Sequence, residues 1–232
     1  ANPATRWLSV SRKDRGAILP LGKNKGNVYW YATNGDFTSS TYYMDSLPEW
    51  VRTFNAQHLA QGYAGKAWQL LRPARDYPEP DSVGLEAISA GPDIAFPHVL
   101  PADGPRTASA LQNVPFMDEL TLRFALRGVS ELGLGNDPSR TDVLAVSLST
   151  TDAIGHRYGP DSRELHDQIL RLDLGEELAG AAVFRRLDAG LEADRGAAAA
   201  VGDDPLEAGE RAAADEQDVR RVDLQELLLG ML

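Results

Sequence analysis

Asp142-Val-Leu-Ala-Val-Ser-Leu-Ser-Thr150, running on into Thr151-Asp152-Ala-Ile-Gly-His156-Arg-Tyr-Gly-Pro160, is the stretch whose reading decides the fold. Val143–Leu148 is a short apolar run, too short for a helix and suited to a central strand of an α/β sheet. Before it, Pro115 opens a helix to about Leu132, with Phe116, Leu120 and Phe124 on one face and Gly133 and Gly135 ending it. After it come a loop containing Gly155, Gly159 and Pro160, then a second helix. There Asp161 and Glu164 stand at capping-box spacing, and Leu165, Ile169 and Leu172 form the core stripe. Helix, strand, loop, helix is the order of a doubly wound α/β protein, which binds ligands at the carboxyl ends of its strands.

Outward from that unit, Val28–Thr33 and Phe37–Tyr43 flank Asn34-Gly35-Asp36 and read as a β-hairpin. Ser46-Leu-Pro-Glu49 fits a capping box for a helix with Trp50, Val51 and Phe54 inward, and His58 falls within that helix. Residues 72–115 are crowded with Pro and Gly and predict a long irregular insert. Composition changes near Asp173. Residues 174–232 hold 14 acidic and 6 basic side chains, a net of −8 out of −11 for the whole chain, with Phe184 as the only aromatic. We therefore expect a domain over 1–173 and an Ala- and acid-rich tail over 174–232, poorly packed and partly disordered.

The 232 residues suffice for a sizeable core, and the absence of cysteine excludes disulfides, thiolate metal sites and cysteine nucleophiles. No stretch approaches the roughly 18 apolar residues of a membrane span. A net charge of −11 argues against a nucleic-acid backbone as partner.

Asp152 and His156 follow a strand end and offer oxygen and nitrogen donors that zinc accepts. By spacing alone the commoner arrangement is a helix-capping Asp with a surface His. A Ser149–Asp152–His156 triad is rejected, because triads assemble in space and no Gly-x-Ser-x-Gly elbow occurs. In Ser11-Arg-Lys-Asp-Arg-Gly16, an extended backbone points Lys13 and Arg15 the same way, toward one anion. A solvated charge cluster is the commoner fate of such a run. His98 can pin a loop by hydrogen bonds, and His166 faces solvent.

Together, Ser11-Arg-Lys-Asp-Arg-Gly-Ala-Ile-Leu-Pro20, Tyr29-Trp-Tyr31, Thr41-Tyr-Tyr43, Leu47-Pro-Glu-Trp50, Phe96-Pro-His98, Pro115-Phe116 and Ser147–Pro160 resemble, in matching order, the alkaline phosphatase superfamily. The likeness is to its bacterial phosphatases grouped with type I phosphodiesterases and nucleotide pyrophosphatases, over residues 9–173. The resemblance implies a doubly wound sheet of that type, incomplete here, and two zinc ions that clamp the attacking and leaving oxygens. It implies hydrolysis of a small phosphate ester through a phospho-enzyme, with Asp152 and His156 as two zinc ligands and Lys13 and Arg15 on the transferred phosphoryl group. That cationic pair favours monoesters over diesters. A periplasmic or secreted setting is implied too. The family's nucleophile and one metal-binding Asp would precede residue 1, and further ligands would follow Asp173, where the chain has no His. The expectation is an internal piece, inactive alone; the alternatives are a phosphodiesterase or nucleotide pyrophosphatase fragment, and a non-catalytic remnant that binds phosphate through its basic loop.

Overall fold

The computed structural model describes residues 4–82 and 93–175, all within one compact unit spanning residues 1–184. Its main sheet has the order β3-β2-β1-β6, from strands β1 (Trp7–Ser11), β2 (Asn27–Tyr31), β3 (Phe37–Thr38) and β6 (Val143–Ser147). β1 runs parallel to both β2 and β6, in register Ser11↔Trp30 and Ser11↔Ser147, while β3 returns antiparallel to β2. The hairpin read at Asn34-Gly35-Asp36 is present, with Gly35 at φ 101°, although its second strand is only two residues long.

Successive β1 side chains point to opposite faces, and each face carries a helix. On one face Leu8 and Val10 are fully buried. There the helix Phe116–Leu132 comes so close that a Cβ on Gly128 would lie 2.6 Å from Leu8 Cδ2. On the other face Ser9 donates to the Ala17 carbonyl at 2.6 Å, within the short helix Asp14–Ile18. A Cβ on Gly16 would overlap the Ser11 hydroxyl and stand 2.8 Å from that of Ser147. Small serines on that face and a glycine opposite let strand and helix touch. The result is the expected doubly wound layering.

The helix Phe116–Leu132 matches its reading, down to the left-handed Gly133 at its end (φ 58°). Other elements differ. The Val143–Leu148 run forms β6 at an edge of the described sheet, and Leu144 is 37% exposed. Residues 150–158 are helix, not loop. The capping box at Ser46 does not form: Pro48 starts the helix Glu49–Asn55, and Glu49 binds Arg52 instead. Trp50, Val51 and Phe54 are nonetheless buried. That helix ends before His58, an exposed turn residue with φ 49°. The irregular insert contains the helix Gly104–Ala110, whose Pro105 sits in the first turn, where a missing N–H costs nothing. It also holds β5 (His98–Val99), which pairs antiparallel with β4 (Ala67–Trp68), just ahead of the insert.

The helix over 163–175 departs most. Its cap is Ser162, which accepts from the Leu165 amide at 3.1 Å. Its buried face is polar, made of Glu164, Asp167 and Gln168, and Ile169 is exposed. The cause is what it meets. Asp167 accepts from Trp68 Nε1, the Leu71 amide and Tyr77 Oη, each at 2.7 Å, and Glu164 lies 2.9 Å from His98 Nε2. His98 therefore pins its loop, its other nitrogen 2.9 Å from Asp93. Burial alone would lower the His98 pKa, but Glu164 and Asp93 raise it overall. His166, expected in solvent, binds Glu79 at 3.0 Å. The tail reading lies, from residue 176 on, outside the described residues. Among the described residues, no helix is long and apolar enough to cross a membrane.

Asp142 anchors the entry to β6, accepting from the Arg6 and Gly135 amides and from Arg140. The Arg140 hydrogen bond lowers its pKa to about 2, from 3.8. Because the folded value is depressed, this stabilisation is present above pH ~4 and is lost as pH falls toward ~2. Asp142→Asn is expected to lower stability at neutral pH, with the gap to the unsubstituted chain closing between pH ~4 and ~2. Urea melts across that range check this, and a constant gap would contradict it.

Candidate active site

The carboxyl ends of β1 and β6 lie side by side, and each chain turns directly into a helix. From β1 the backbone leaves through Arg12 and Lys13 into Asp14–Ile18, and from β6 through Leu148 and Ser149 into Thr150–Tyr158. Neighbouring parallel strands thus deliver Lys13 and Asp152 to one place, 139 residues apart in sequence, and the Lys13 ammonium binds Asp152 Oδ2. That hydrogen bond is the main reason the Asp152 pKa is lowered. The other oxygen, Oδ1, lies 3.3 Å from His156 Nε2, one helical turn on. Lys13, Asp152 and His156 side chains are 30%, 48% and 82% exposed, so the cluster meets solvent.

Arg15 is placed differently. The extended backbone assumed for it ends at Lys13 (φ −104°, ψ 143°), and Arg15 lies in the first turn of the helix. Its guanidinium is largely exposed, 3.9 Å from Asp14. The structure joins Lys13, Asp152 and His156, and Arg15 stands exposed beside Asp14. No triad forms at Ser149, whose hydroxyl pairs with Ser11 Oγ at 3.2 Å.

Beneath the cluster lies a buried polar layer that the residue-by-residue reading passed over. Arg12 is 7% exposed, with Nη2 3.4 Å from the Ser149 carbonyl. Asp118, on the helix Phe116–Leu132, accepts from Thr150 Oγ1 and Gln168 Nε2, both at 2.7 Å, and from the Thr150 amide at 3.3 Å. Burial raises the Asp118 pKa, opposed by Thr150, Gln168 and Arg12. It lowers that of Arg12, opposed by Asp118 and Asp152. The one available signal for Arg12 was its place directly after the alternation of β1. Asp118 looks like any first-turn acid.

The model of the type I phosphodiesterase/nucleotide pyrophosphatase family matches residues 4–177. The chain belongs to that family. Within it, the chain is 42% identical over 176 residues to alkaline phosphatase PhoV of Synechococcus elongatus, covering 74% of this chain and 32% of PhoV. It is 35% identical over 215 residues to alkaline phosphatase PafA of Elizabethkingia meningoseptica, covering 87% of this chain and 38% of PafA. The crystal structure of wild-type PafA superimposes with a TM-score of 0.69 at 33% identity, over 81% of this chain and 36% of that one. A second PafA structure, with TM-score 0.69 and 30% identity over 79% of this chain and 36% of that one, carries four substitutions. Among them a lysine and an arginine two residues apart are each replaced by alanine. The chain thus spans about a third of the length of the curated relatives it matches.

As a test of fit to zinc, donors about 2.0–2.1 Å from a tetrahedral ion stand about 3.3 Å from each other. The Asp152 Oδ1 to His156 Nε2 separation is 3.3 Å. These two residues fit neighbouring positions of such an ion. Among the described residues no group of three His, Cys, Asp or Glu side chains gathers to complete it.

Proposed function

We propose that this chain carries part of the active site of a zinc-dependent phosphatase that hydrolyses small phosphate monoesters. The carrying observation is the convergence of Lys13, Asp152 and His156 at the carboxyl ends of adjacent parallel strands, where such sheets bind ligands. Asp152 and His156 would hold zinc, which when bound supplies Lewis-acid chemistry and activates water. Lys13 neutralises Asp152 and, from the same position, offers its ammonium to a phosphoryl oxygen. Arg15, two residues on and exposed, would bind two such oxygens at once through its fork of donors. The Lys-x-Arg spacing agrees with the lysine and arginine replaced together in the PafA variant. The nucleophile of a phospho-enzyme route is not among the residues assigned here.

The function is tested in a protein of the relatives' full length that includes this chain. Asp152→Ala and His156→Ala should each lower bound zinc and abolish monoester hydrolysis, while Lys13→Ala should lower hydrolysis and leave the zinc in place. Full zinc content and activity in both ligand variants would overturn the assignment.

For the 232-residue chain alone we propose that it is inactive and holds zinc weakly, since two donors leave half of a four-coordinate shell to water. Calorimetric titration should show no nanomolar binding. Nanomolar binding that disappears in Asp152→Ala would refute this.

A further inference from the structure

We propose that Arg12 and Asp118 are positioning residues, which clamp the Ser149–Thr150 peptide group from both sides and so set Asp152 against Lys13. The inference rests on the reading of Lys13 and Asp152 as site residues and goes beyond it.

One planar peptide group joins the carboxyl end of β6 to the helix bearing Asp152. Its oxygen, the Ser149 carbonyl, faces Arg12 Nη2 at 3.4 Å. Its N–H, on Thr150, faces Asp118 Oδ1 at 3.3 Å. A peptide group is rigid, so holding its oxygen and its hydrogen fixes the plane from which the first helical turn starts. Asp152 sits two residues further on, within that turn. The two main-chain contacts are long, but both carry a charged partner, and Asp118 adds a 2.7 Å bond from Thr150 Oγ1. Gln168 completes the support, its Nε2 donating hydrogen bonds to Asp118 Oδ2 at 2.7 Å and to Thr151 Oγ1 at 3.3 Å.

The clamp also reaches Lys13. Arg12 and Lys13 are adjacent, the Lys13 amide donates to Ser11 Oγ at 3.2 Å, and that oxygen lies 3.2 Å from Ser149 Oγ. Both partners of the Lys13–Asp152 pair are thereby tied to the Ser149–Thr150 segment, Lys13 through the Ser149 hydroxyl and Asp152 through the peptide group. Stability alone is a poor account of the arrangement. Arg12 Nε is buried without a hydrogen-bond partner, and an incompletely paired buried guanidinium costs free energy that an apolar side chain would not.

The test reads the Lys13–Asp152 geometry directly and needs neither zinc nor turnover. Treatment of the folded 232-residue chain with a water-soluble carbodiimide joins an amine to a carboxylate only when they touch. Mass spectrometry of the digest measures the Lys13–Asp152 amide. The unsubstituted chain should couple. Arg12→Met and, as a milder change, Thr150→Val should couple about tenfold less or lower, since such reactions depend steeply on placement, and Arg12→Lys should recover part of the yield. Circular dichroism melts confirm that each variant scored is folded, and Thr150→Val, near isosteric, serves if Arg12→Met does not fold. Undiminished coupling in a folded Arg12→Met or Thr150→Val chain overturns the clamp. No coupling in the unsubstituted chain overturns the Lys13–Asp152 pairing itself, and with it the site reading beneath the proposal.

Discussion

Phe124→Ala is expected to lower the unfolding free energy by about 3–5 kcal/mol, the cost typical of removing a fully buried ring. Phe124 is 0% exposed, and four aromatic residues surround it. Phe37 stacks on it at 4.0 Å between ring centres, Tyr29 and Phe54 present edges at 5.4 and 5.0 Å, and Trp50 leans at 5.0 Å. These come from β3, β2 and the helix Glu49–Asn55, so one ring links three elements to the helix Phe116–Leu132. Neighbours drawn from separate elements cannot all collapse into the space left, which places the expected loss in the upper part of that range. Leu19→Ala is the control. Leu19 is 76% exposed, and its loss should change stability by less than about 0.5 kcal/mol. Urea unfolding with unchanged slope measures both. A Phe124→Ala midpoint shift no larger than that of Leu19→Ala would show that the aromatic cluster does not hold the fold together.

How much of this was legible in the sequence depends on whether local pattern or distant contact decides each element. Phe116, Leu120 and Phe124 recur at helical spacing, and Gly133 supplies a left-handed end, so that helix could be read directly. Asn34-Gly35-Asp36 announced its hairpin for the same reason: the turn needs a residue tolerant of positive φ. The helix over 163–175 defeated the same method. Of the stripe Leu165, Ile169 and Leu172, Leu165 packs against the core but Ile169 is exposed, and the groups that the buried face meets are His98, Trp68 Nε1, Tyr77 Oη and Asp118. Those partners lie 50 to 99 residues away, and no periodicity reports them. Asp152 and His156 were singled out as a pair, and the structure does bring them together, but by helical spacing rather than on a loop. Arg12 and Asp118 carried no local sign, because burial and a distant peptide group, not neighbours in sequence, give them their place.

The second large effect concerns Arg15, in a protein of the relatives' full length that includes this chain. Arg15→Ala is expected to lower kcat/KM for a phosphate monoester by about two to three orders of magnitude, the loss typical of removing one preorganised donor to a developing charge, about 2.7–4 kcal/mol. A matched diester should lose much less. A monoester presents every non-bridging oxygen to cations, whereas a second substituent blocks one of them in a diester, so a further cation gains more from the monoester transition state. The position of Arg15 makes the experiment clean. Its guanidinium is largely exposed and lies 3.9 Å from Asp14, so truncation leaves the fold and the Lys13–Asp152–His156 cluster in place. Lys13→Ala is the useful contrast. Lys13 binds Asp152 directly, so its removal takes a cation from beside the proposed zinc ligand without removing the zinc, and should slow both substrates together. If Arg15 is instead one of a solvated group of charges, its loss changes both rates slightly and in a salt-sensitive way. Equal losses on monoester and diester in Arg15→Ala would remove Arg15 from the phosphoryl site and leave Lys13 as the cation that the strand end supplies.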